Sequence, residues 1–156
     1  MSRILPGGIV LGALLAIGQS TLAQEPCATV TGQGASLRGF AGAKADTLKS
    51  GSNTICDMWA KDRTAKLTVI AEPPQPASAL AMRRMLAANA KEPGMKVSDE
   101  PSLGAGAFSF ATKDQVSFTA AGKGGVYTVS LNRDAGISDG DETQVRMIAK
   151  RILEIR

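Results

Sequence analysis

The chain has 156 residues, enough for one domain with its own buried core. Its formal net charge is +4, from 18 Lys and Arg against 14 Asp and Glu, and the charges are too interspersed to form a nucleic-acid-binding arm. Histidine is absent, which removes the commonest general base, the commonest metal ligand and every Ser/His/Asp or Cys/His catalytic arrangement.

The first element is an address. Met1-Ser2-Arg3 carries one positive charge, Ile4 to Ile17 is an apolar stretch, and the small residues Thr21 and Ala23 stand where a signal peptidase reads its substrate. The apolar stretch is about 14 residues long, short of the roughly 20 that span a bilayer. Gln24-Glu25-Pro26 before Cys27 lacks the small-residue run that precedes a lipid-modified cysteine. The expectation is an exported chain, cut near Ala23 and soluble in the periplasm or outside. It then carries no stable membrane anchor, and residues 24–156 form a single domain. Two cysteines, Cys27 and Cys56, both lie beyond the cut. An even number in an exported chain reads as one disulfide, whereas catalytic redox pairs stand close together, as in Cys-x-x-Cys. The bridge closes a loop of about 30 residues, worth roughly 3.5 kcal/mol in the chain-entropy account.

In chain order, Thr31 to Ala41 is expected as a short first helix with Leu37 and Phe40 as its apolar contacts, weakened by its glycines. Strands follow at Ala45–Lys49, Ile55–Ala60 and Ala65–Ala71, the last alternating and β-branched. Pro73-Pro74-Gln75-Pro76 breaks the pattern, and Ala77 to Lys91 reads as a helix with Met82, Met85, Leu86 and Asn89 on one face. Val97 to Gly106 reads as a loop. Strands at Ala107–Ala111, Gln115–Ala121 and Val126–Arg133 come next, the last two joined through Gly122-Lys123-Gly124-Gly125. Gly140 to Glu154 closes the chain as a helix, with Val145, Ile148, Ala149, Ile152 and Ile155 at helical spacing and Lys150, Arg151 and Arg156 at its C-terminal end. Ser138 or Asp139 caps it, with Asp141 and Glu142 placed to complete a capping box. The fold class is therefore α+β: an antiparallel sheet of five to six strands with helices packed on it, in the order α-β-β-β-α-β-β-β-α.

Cys27 before the first helix, the Cys56-Asp57-Met58-Trp59 strand, the Ala/Met-rich helix after the proline break and the Asp99-to-Phe108 turn into an aromatic strand together carry a likeness. The chain resembles small exported bacterial domains of unknown function with a PsbP-like α/β sandwich. That resemblance implies a fold and an envelope location, and no catalytic set.

The chemistry left to such a chain is limited. With both cysteines bridged no thiolate nucleophile remains, and no cofactor or metal is expected. The acidic run Asp134 to Glu142 lacks the EF-hand spacing and reads as a loop entering a helix N-terminus. Trp59 and Tyr127 are the large amphipathic aromatics, and beside Met58 they either line a ligand cleft or, for Trp59, pack near the disulfide in the core. Arg83 and Arg84 either meet an anionic partner or form a solvated helix flank. Met82 and Met85 read as core, or as an adaptable binding face. The leading expectation is a non-catalytic envelope module that binds a protein or a small ligand. Two others compete with it: a glycan hydrolase using two of Asp99, Glu100, Asp139 and Asp141, and a binder of anionic surfaces using Arg83, Arg84, Lys150 and Arg151.

Overall fold

The computed structural model describes residues 25–90 and 93–154. Residues 1–24, where the signal peptide is expected, and Lys91, Glu92, Ile155 and Arg156 lie outside them. The described residues form seven strands: β1 (Ala45–Ser50), β2 (Asn53–Trp59), β3 (Ala65–Glu72), β4 (Lys96–Asp99), β5 (Phe108–Ala111), β6 (Gln115–Gly122) and β7 (Gly125–Arg133). They make one antiparallel sheet in the order β1-β2-β3-β7-β6-β5-β4. Three helices complete it: α1 (Glu25–Gly34), α2 (Ala77–Asn89) and α3 (Asp139–Leu153). The chain is thus α+β with an antiparallel sheet and one disulfide. One strand more than expected is present.

Alternation decides the two faces of the sheet. Cys56 and Met58 of β2, Leu67 and Val69 of β3, Val129 and Leu131 of β7, and Val116 and Phe118 of β6 are all buried on one face. There α1 and α3 cover them, and Phe40, Met58, Leu67, Phe118, Leu131 and Ile148 form the centre of the core. Helix α3 contributes Val145, Ile148, Ala149 and Ile152, the spacing legible in the sequence. Ser138 caps it: its Oγ accepts from the Asp141 amide at 3.2 Å while the Ser138 amide donates to Asp141 Oδ2 at 3.1 Å. This is the capping box, completed by Asp141 and not by Glu142.

Helix α2 lies on the opposite face. Its Leu80 is buried with Phe108 and Val126, whose side of the sheet is the one that α1 and α3 leave open. Arg83 pairs with both oxygens of Glu72 at 2.7 and 2.5 Å, and Arg84 Nε reaches Asp99 at 2.6 Å. The sheet is therefore sandwiched at its β4–β6 end and open on one side toward β1.

Three expectations need correction. The first helix runs Glu25–Gly34, not Thr31–Ala41. Pro26 suits a first turn, where a missing N–H costs nothing, and at Gly34 the helix comes so close to β2 and β3 that an added Cβ would meet Met58 Sδ at 2.9 Å. Leu37 and Phe40 are buried as expected, but from turns beyond the helix. Within the expected loop Val97–Gly106, Lys96–Asp99 pairs with β5 as an edge strand and Pro101–Leu103 is a single 3-10 turn. Its four residues carry one large apolar side chain, so pairing and not hydrophobic pattern defines it. Finally, Met82, Met85 and Leu86 are not core but exposed at 58%, 54% and 60%. The two arginine–carboxylate pairs turn α2 the other way, with its Leu80 side toward the sheet.

Cys27 and Cys56 are bonded, with their Cα atoms 5.2 Å apart, and both are buried. The bond fastens α1 to β2. The double variant Cys27→Ser/Cys56→Ser is expected to lose about 3.5 kcal/mol of stability, read by urea denaturation, and reductant should reproduce the loss in the native chain.

Candidate ligand site

Trp59 is the last residue of β2. Met58 points into the core, so Trp59 points the other way, onto the open face, and is 37% exposed. It does not pack beside the disulfide; strand alternation places it across the sheet from Cys56 and Met58. Two cations lie against its ring, the Arg63 guanidinium carbon 5.3 Å and Lys66 Nζ 5.2 Å from the centroid. Lys66 also bridges Asp57 at 2.8 Å.

Next to the indole is an open pocket of about 290 Å³, lined by Ala43, Lys44, Asp46, Trp59, Ala60, Lys61 and Arg63. Two segments build it, the loop leading into β1 and the β2–β3 turn. The Lys61 amide donates to the Gly39 carbonyl at 3.1 Å and joins them. The turn closes through Arg63 N–H to Ala60 O at 3.0 Å and Ala60 N–H to Ala65 O at 2.9 Å. Asp62 Oδ1 steadies it by accepting from the Thr64 amide at 3.1 Å and hydroxyl at 2.8 Å. These bonds, the amide first, hold the Asp62 carboxyl below its usual range.

Arg63 sits at φ 62°, the left-handed region that glycine takes in such turns. Arginine there costs about 1 kcal/mol. Arg63→Gly is therefore expected to raise stability by about 1 kcal/mol, read as a higher denaturant midpoint.

The other sequence candidates lie elsewhere. Tyr127 stands on the helix side of β7, half-buried against the core near the β6–β7 turn, and shares no cleft with Trp59. Arg83 and Arg84 lie on α2, where they pair with Glu72 and Asp99. Hydrogen bonding from Arg83 holds the Glu72 carboxyl below its usual value despite partial burial. Arg151 pairs with Glu154 at 3.0 Å.

Comparison of the chain with protein-family models, with curated proteins and with solved structures finds no match in any of the three. Its chemistry is read from its own residues.

The acids considered for hydrolysis are structurally engaged in three of four cases. Asp99 holds Arg84, and Glu100, buried, accepts from Arg146 at 3.1 and 3.3 Å. Asp141 is buried against Arg133 at 3.0 Å. Asp139 is exposed in the first turn of α3. Among the described residues no three Cys, Asp or Glu side chains converge as metal ligands. The sequence pointed to Trp59 but missed Lys44, Lys61 and Arg63. Lys44 comes to the site from another part of the chain, and nothing in the spacing links it to the other two.

Proposed function

We propose that this chain is an exported, non-catalytic binding module of the bacterial cell envelope, and that its ligand sits in the Trp59 pocket. The observation that carries the reading is an exposed tryptophan beside a pocket whose three cations, Lys44, Lys61 and Arg63, have no ion-pair partner among the described residues. An exposed aromatic and basic side chains without ion-pair partners at one rim are suited to recognition. The buried disulfide supports an oxidising compartment, and no described helix is long and apolar enough to cross a membrane. The leader and the PsbP-like likeness agree with this address.

Asp141 is not set up as the general acid of a hydrolase. Burial alone would raise the Asp141 carboxyl, but the Ser138 hydroxyl and amide and the charges of Arg133 and Arg38 outweigh it and hold it below its usual value. A general acid needs the opposite shift.

The test is capture from envelope extracts with the oxidised protein and its Trp59→Ala variant. A ligand or partner retained by the first and lost by the second is the expected result. Turnover of a hydrolase substrate panel that vanishes on replacing one of Asp99, Glu100, Asp139 or Asp141 would overturn the reading.

A further inference from the structure

The arginines of the described residues differ in one respect. Arg38, Arg83, Arg84, Arg133, Arg146 and Arg151 each face a carboxylate. Arg63 faces a tryptophan ring instead. A guanidinium stacked on an aromatic face is oriented by it, and its N–H edge stays available for a forked acceptor. Lys44 and Lys61 line the same pocket and are exposed. Set against them is one acid, Asp46, so the lining carries a surplus of positive charge.

Resting on the binding role assigned to this pocket, we propose that it takes a phosphate monoester, with Arg63 gripping two phosphate oxygens and Lys44 and Lys61 neutralising the rest. A carboxylate brings one charge and two oxygens. A phosphate monoester brings a charge of about −1.5 to −2 and three strong acceptors, which suits a pocket lined by three basic side chains. The pocket is larger than a phosphate group and leaves space for the group that bears it. That group is a small soluble molecule or a lipid headgroup, and Trp59 forms the wall against which it lies.

The chain contains one tryptophan, so indole fluorescence reports this site alone. The oxidised protein is titrated with glycerol 3-phosphate, with succinate, and with phosphatidylcholine vesicles with or without phosphatidic acid. A saturable change with glycerol 3-phosphate is expected, and at least a tenfold weaker response to succinate. Arg63→Gly and Lys61→Ala should each weaken phosphate binding tenfold or more. Arg63→Gly should melt no lower than the native chain, which separates lost binding from lost folding. A stronger response to phosphatidic acid vesicles than to glycerol 3-phosphate identifies the lipid source; the reverse order identifies the soluble one. Equal responses to succinate and glycerol 3-phosphate, no response to any phosphate probe, or native affinity in Arg63→Gly would each overturn the proposal. If phosphate probes fail while Trp59-dependent capture from extracts persists, the ligand class is wrong and the binding role stands. If capture also proves independent of Trp59, both fall.

Discussion

Gly125→Ala is expected to cost more than about 4 kcal/mol and to leave little folded protein at 37 °C. Gly125 opens β7 at φ 149°, and a Cβ placed there would stand 1.8 Å from the carbonyl oxygen of Glu72. The obstacle is backbone, so no rotamer relieves it. Either β3 and β7 part at this end or the chain abandons the φ angle, and both options break pairing in the middle of the sheet, where Glu72 is opposite Val126. Overpacking in a rigid place commonly costs 1–3 kcal/mol, and a clash with a strand backbone exceeds that range. Circular dichroism during urea titration measures the effect. Gly51→Ala is the control: Gly51 also has positive φ, but an added Cβ there meets nothing within 4 Å, so the loss should stay near 1 kcal/mol.

Asp141→Ala is expected to lose about 3–5 kcal/mol. Arg133 and Asp141 are both buried, 3.0 Å apart, where β7 meets the first turn of α3. Removing the carboxylate strands a buried guanidinium whose Nε already has no hydrogen-bond partner among the described residues. It also ends the capping box with Ser138. The double variant Arg133→Met/Asp141→Leu should recover most of the loss, because it removes both charges and leaves mainly the missing cap, worth about 1 kcal/mol. The pair also sets an acid limit. Because the folded-state value of Asp141 lies below its ordinary one, its contribution is fully present above the ordinary carboxylate range near 4. It is lost as pH falls through the lower folded value. Stability against pH should therefore drop more steeply below pH 4 in the native chain than in the double variant.

What the sequence disclosed depended on how local each signal was. The β3 strand was legible because Ala65, Leu67 and Val69 alternate with Lys66, Thr68 and Ile70, and the sheet face follows that alternation. Helix α3 was legible from four apolar residues at helical spacing, all buried. Helix α1 was misplaced because Leu37 and Phe40 were read as its apolar contacts, whereas both are buried from turns beyond it, and only the Met58 and Leu67 side chains against Gly34 show why a small residue belongs there. The outward turn of α2 was hidden because its partners, Glu72 and Asp99, lie on strands that sequence could not place beneath it. For Trp59 the signal was present and misread. The same alternation that buries Met58 turns its neighbour out. The pocket beside it needed the loop before β1 brought against the β2–β3 turn, a tertiary fact set by the pairing of Ala45 with Met58 and the Lys61–Gly39 hydrogen bond.

The strand order divides the sheet into two local meanders, β1-β2-β3 and β4-β5-β6-β7, which join only where β3 pairs with β7. Both cysteines belong to the first meander and its helix. Oxidation therefore does not have to wait for the second half. Closing the bond needs α1 and the β1-β2-β3 meander brought together, and it calls on no cysteine from the β4-to-β7 half. The bridge therefore constrains one half of the sheet directly and the other only through the β3–β7 seam.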